Sequence, residues 1–124
     1  MHLPLFITTL ILLFTPSLAS TTNHTIGCLE LVQFSSITGA TEADVAAAAE
    51  SVEGLLRAQP GFMARLLTSV GNASYIDSVH WRSLQDALAA AKVVERSPLA
   101  KRFLAIIDPA SVRMSHSIPI LQDN

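Results

Sequence analysis

The stretch "FMARLLTSVGNASYIDSVHWRSLQDALAAAK", residues 62–92, constrains the fold more than any other part of the chain. "FMARLLTSV" and "SYIDSVHWR" are apolar, β-prone runs separated by "GNA", the pattern of a β-hairpin. Ser83 follows at once, with Asp86 three residues later, which is the capping signature of a helix that "LQDALAAAK" continues with high intrinsic propensity. A hairpin must therefore hand over directly to a helix.

The rest of the chain supplies the elements around this unit. "CLELVQFSSI", residues 28–37, is apolar on both faces and suits a strand covered on two sides. Thr41, with Asp44 at the third helical position, caps a helix over "ADVAAAAESVEGLLRAQ", whose Val45, Ala48, Ala49, Val52, Leu55 and Leu56 recur at helical spacing until "QPG" stops it. Ser97-Pro98 breaks the second helix, because the residue before proline is pushed out of the α region, and Pro98 opens a short third one ending at Asp108-Pro109. "SVRMSHSIPI" alternates as a half-buried strand. The order β-α-β-β-α-(α)-β predicts an α+β, ferredoxin-like split β-α-β: a four-stranded antiparallel sheet with helices on one face. Its other face is left uncovered, and the first strand is apolar on that side too. A second copy packed sheet to sheet, a homodimer, is expected there.

Only 15% of the 124 residues are charged and the net charge is -2, with no basic cluster, so the phosphate neutralisation that nucleic-acid binding requires has no source. Residues 3–19 carry no charge and end in Ser17-Leu18-Ala19, as a signal peptide does. Thr8, Thr9, Thr15 and Pro16 interrupt the roughly 20 apolar residues that a membrane anchor needs. The expected organisation is a signal peptide at 1–19, a short segment at 20–27, one domain at 28–120 and a tail at 121–124, giving a secreted protein with no stable membrane span after cleavage. Asn23 and Asn72 head N-glycosylation triplets, in keeping with export. Cys28 is the single cysteine, so no internal disulfide can form, and it reads as a small buried residue opening a strand.

A two-residue turn at Gly71-Asn72 would set Arg65 opposite Ser78, Met63 opposite His80 and Phe62 opposite Trp81. Arg65 and His80 would then share one face with Met63, Leu67, Ile76 and Ser78. Trp81 would join an apolar layer of Phe62, Ala64, Leu66, Tyr75 and Val79, interrupted by Asp77. His80 is accordingly a candidate general base or donor, with Arg65 stabilising an anion such as an enolate; an interfacial histidine is the alternative. His116 and Arg113 on the last strand are further candidates. Tyr75 and Asp77 are weaker candidates, expected to lie in solvent near the hairpin tip. There is no HExxH, no CxxC, no glycine-rich phosphate loop and no nucleophile elbow, so neither a metal site nor a nucleotide or flavin cofactor is indicated.

"QPGFMARLL", "YIDSVHWRSLQDALAAA" and "IDPASVRMSH" resemble the antibiotic-biosynthesis-monooxygenase-like (ABM) group of the dimeric α+β barrel superfamily, over roughly Leu29 to Ile118. The resemblance implies a dimeric α+β barrel and, for some members, cofactor-independent oxygenation of polycyclic aromatic compounds. Haem-degrading relatives place a histidine on the helical segment before the last strand. "RSPLAKRFLAIID" has Lys101 and Arg102 there and no histidine, which disfavours haem breakdown. Cofactorless oxygenation needs a dry pocket, a base to ionise an electron-rich phenol, and donors for the resulting anion. Side chains such as Leu31, Phe34, Phe62, Phe103 and Met114 would line that pocket between sheet and helices, with Trp81 either packed in the core or forming an aromatic wall. The functions expected are therefore a small cofactor-independent monooxygenase acting on an aromatic or polyketide-like substrate, a cyclase or isomerase on a polyketide, or a non-catalytic dimer binding a small hydrophobic ligand.

Overall fold

The computed structural model describes residues 25–123; the expected signal peptide and Asn23 lie outside them. Four strands, β1 (Cys28–Ser35), β2 (Phe62–Gly71), β3 (Ser74–Trp81) and β4 (Arg113–Ser117), form one sheet. They lie in the order β2-β3-β1-β4 with every neighbouring pair antiparallel. The helices are α1 (Glu42–Glu50), α2 (Glu53–Arg57), α3 (Leu84–Arg96) and α4 (Lys101–Ala105), with single 3₁₀ turns at Pro98–Ala100 and Pro109–Ser111. This is the expected ferredoxin-like arrangement, with the helices packed over one face.

The helix starts follow the predicted chemistry. The Thr41 hydroxyl accepts from the Asp44 amide at 3.1 Å, and Asp44 accepts from the Thr41 amide at 2.9 Å, closing a capping box. Ser83 accepts from the Asp86 amide at 3.0 Å. The long first helix is in fact two. At its middle the amides of Ser51 and Val52 turn back to the carbonyls of Ala48 and Ala49, which tightens the last turn and ends α1. Arg65 takes the Ala49 carbonyl as well, at 2.9 Å, and this tertiary bond fixes the break.

The hairpin differs from expectation in one way with large consequences. The turn is Asn72-Ala73, both in the left-handed region at φ 53° and 57°, flanked by the pair Gly71–Ser74. Irregularities at Met63 and Val70 leave one extra residue at each end of β2, so the pairing between them runs Ala64–His80, Arg65–Val79, Leu66–Ser78 and Leu67–Asp77. A slip of one residue exchanges faces. Arg65 and Leu67 face the helices, while Ala64 and Leu66 face away, the reverse of the expectation for all four.

On β3, Tyr75, Asp77, Val79 and Trp81 are buried beneath the helices, and Ile76, Ser78 and His80 lie on the open face. Tyr75 and Asp77 are thus 5% exposed each, not solvated at the tip as the sequence suggested. Leu31 pairs with Ser78 and belongs to the open face, so it cannot line the space between sheet and helices. Cys28 is fully buried at the start of β1, as expected.

Two apolar clusters fill the interior. One gathers Cys28, Val52, Leu56, Val79, Trp81, Ala87, Ala90 and Ala100; the other gathers Phe34, Val45, Tyr75 and Ile107; Phe103 packs against both. Alanines along α1 and α3 let the helices approach the sheet closely.

Candidate functional site

Between the two apolar clusters a row of side chains crosses the whole sheet on its helix-facing side. The pairings Arg65–Val79, Val79–Glu30 and Glu30–His116 place one residue from each strand in line. Three of the four can carry charge.

At the β2 end, Arg65 is spent on structure. Its side chain is 5% exposed, and its Nε and Nη2 grip Asp77 at 2.9 and 2.6 Å while Nη1 reaches Glu53 at 3.2 Å. The guanidinium also lies over the Phe103 ring, 5.4 Å from its centroid. Burial pulls its pKa down, but the bonds and charges of Asp77 and Glu53 outweigh this and leave it raised. Four of its five N–H groups are accounted for in this way, so it is the keystone of a buried ion cluster.

At the β4 end, His116 Nε2 lies 2.8 Å from Glu30 Oε2, with side chains 18% and 10% exposed. Burial pushes the Glu30 carboxyl upward and the charge of Asp77 adds to this, while His116 pulls it down. The buried Trp81 indole Nε1 has no hydrogen-bond partner among the described residues. The Cys28 thiol, two residues along β1, is raised by burial and then by Glu30.

The structure thus brings Arg65 and His116 onto one face and puts His80 on the other, in a row with Ala64, Leu29 and Ser117. The shared Arg65–His80 face does not exist, because the irregularities in β2 turn Arg65 over. His80 and Trp81 are on opposite faces, as strand alternation demands. The residues named as pocket lining are mainly packed against one another. Phe34 stacks on Tyr75 at 5.4 Å and meets Phe103 edge-on at 5.7 Å, and Phe62 meets Trp81 edge-on at 5.8 Å. Met114 is 53% exposed on the edge strand. Arg113 lies on the open face beside Gln33, and Asn72 is exposed in the turn.

Glu30 escaped the sequence reading. The signal was there: an acidic residue at the centre of an otherwise apolar strand needs a partner, and the alternating histidine of the last strand could supply one. Among the described residues, no group of three His, Cys, Asp or Glu is placed to hold a metal, and no helix is long and apolar enough to cross a membrane.

Solved structures share this fold. A cofactor-independent oxygenase from Streptomyces nogalater superposes with a TM-score of 0.65 at 14% identity, covering 79% of this chain and 97% of its own. A monooxygenase from Streptomyces coelicolor in complex with nanaomycin D matches with a TM-score of 0.56 at 14% identity, over 80% of this chain and 92% of its own. A dimeric ferredoxin-like protein from an uncultured marine organism matches at 0.59 and 10% identity, over 82% and 94%. No family model matches the chain, and no curated protein matches its sequence. The resemblance to the ABM proteins therefore holds at the level of the fold, over most of the chain.

Proposed function

We propose that this chain is an exported, ABM-like small enzyme, a cofactor-independent monooxygenase acting on an aromatic or polyketide-like substrate in secondary metabolism. The observation that carries the reading is the Glu30–His116 pair at 2.8 Å. It is a largely buried acid–base pair on the helix-facing side of a sheet whose fold is shared with a cofactor-independent oxygenase. Such chemistry asks the protein only for a base, a dry surface and anion stabilisation, because the ionised substrate itself reduces O₂. Arg65 contributes by holding the interior together, since its donors are engaged by Asp77, Glu53 and Ala49.

The active form is a homodimer built on the open face of the sheet. Leu29, Leu31, Leu66 and Ile76 lie there, and among the described strand residues no carboxylate does. His80 sits among them as an interfacial histidine. Residues 1–19 direct export, and the Asn72 triplet, exposed in the hairpin turn, is open to glycosylation.

The mature protein given an anthrone-type phenol should consume O₂ without added flavin or metal, and His116→Ala should slow it. Equal rates with and without protein, together with retained ligand binding, would favour the second reading, a non-catalytic carrier of a small hydrophobic molecule. The exposed Met114, two residues from His116 on the edge strand, supports that second reading.

A further inference from the structure

Glu30 is not among the candidate residues read from the sequence, yet the sheet register gives it a role. We infer that Glu30 and His116 act as a unit in which Glu30 fixes the His116 tautomer and His116 Nδ1 takes the proton of a phenolic ligand. The inference deepens the proposed function and rests on it.

The geometry argues as follows. An ionised Glu30 can only accept, so at 2.8 Å His116 Nε2 must carry the hydrogen between them. Nδ1 is then left as a lone pair, and among the described residues no hydrogen bond occupies it. A carboxylate behind an imidazole stabilises the imidazolium that forms when the imidazole takes a proton. The transfer balances without any redox partner: the phenol O–H bond breaks, an Nδ1–H bond forms, and the electron pair stays on the phenolate oxygen. Glu30 stays ionised throughout.

The surroundings fit a flat apolar ligand bearing one acidic hydroxyl. His116 lies on edge strand β4, beyond which no further strand pairs among the described residues. Met114, two residues before it, is 53% exposed, and Ile118, two residues after, is 57% exposed. These exposed apolar side chains flank His116 along the chain and are the surface on which a flat ligand would be held. Trp81 adds a second, independent observation. Its buried Nε1 has no hydrogen-bond partner among the described residues, so the interior beside the row holds a polar group that is not saturated.

The plain alternative is that the pair merely ties β4 to β1. Bound para-nitrophenol separates the two readings, because its anion absorbs in the visible and reports proton loss without any oxygenation. The wild-type protein should bind para-nitrophenol largely as the anion at a pH about one unit below the probe's own pKa, where the free phenol is mostly protonated. Glu30→Gln and His116→Asn should return the bound probe toward the neutral form that it takes in free solution at that pH, with binding of the neutral form retained. Glu30→Asp should restore part of it. Nitrogen-15 shifts of His116 should show Nε2–H in the wild type and a tautomer mixture in Glu30→Gln, a change a mere tie would not require for ligand ionisation. If the variants melt earlier but ionise the probe as the wild type does, or if the wild type binds no para-nitrophenol, the inference is overturned. If the probe is ionised but no phenol promotes O₂ uptake, the proton-transfer unit stands and the oxygenase reading falls.

Discussion

Arg65 Nη2 lies 2.6 Å from Asp77 Oδ2, with both side chains more than nine-tenths buried. Neither charge has water to return to if the other is removed. Arg65→Met should therefore cost about 3–5 kcal/mol, the penalty of a stranded buried charge. Arg65→Met combined with Asp77→Leu should recover most of it. Urea midpoints of the single and double variants test this; a double variant as weak as the single would show that the pair is not coupled.

Glu30 gives the protein a pH signature. Its carboxyl is raised above the ordinary 4.5, first by burial and then by Asp77, with His116 opposing. The folded chain holds this proton more tightly than the unfolded one, so the contribution is complete below about pH 4.5 and is lost as pH rises through the raised value. The melting temperature of the wild type should therefore fall relative to Glu30→Gln as pH rises across that window. Calorimetry yielding parallel curves for the two proteins would contradict the assignment.

The open face predicts its own behaviour. Leu66 is 62% exposed there, on the strand next to Ile76, Ser78 and His80. Leu66→Asp places an unpaired charge where the twin sheet would pack and should weaken the dimer by about 10²-fold or more. Sedimentation equilibrium measures it. A wild-type protein that sediments as one subunit ends the dimer reading altogether.

Ala73 occupies the left-handed region at φ 57°, where a Cβ costs about 1–2 kcal/mol. Ala73→Gly supplies the Asn-Gly pair that this turn prefers. It should raise stability by up to about 1 kcal/mol, less than the strain relieved because glycine also loosens the unfolded chain. The opposite change is expected at Gly27, where a Cβ would run into the Arg82 carbonyl. Gly27→Ala should lower the melting temperature, and thermal melts of both variants check the pair of signs.

Element order, both helix caps and the burial of Cys28 and Trp81 were legible because each rests on local chemistry: a hydroxyl and an acid three residues apart, a proline, a period of two or 3.6. What was hidden depended on one or two residues of slack. The extra residues in β2 leave no mark in a run as uniformly apolar as "FMARLLTSV", so the faces of Arg65 and Leu66 were exchanged. Asp77 offered a clue, since an acid within an apolar layer asks for a cation on the neighbouring strand, and Arg65 was the cation available. The split between α1 and α2 was hidden for a related reason, because it depends on a bond from Arg65 that helix propensity does not register. Glu30 and His116 lie 86 positions apart, and only the closing of β4 against β1 makes them neighbours.

Among the described residues Phe103 is the one side chain that packs against both apolar clusters, and it also carries the Arg65 guanidinium on its ring. The interior thus behaves like two rooms with a shared post. Either room can be refurnished over evolutionary time with little effect on the other, whereas a change at the post disturbs both and the ion cluster above it. Variation among natural versions of this protein should accordingly be freest at the far ends of the two clusters and tightest at this single ring.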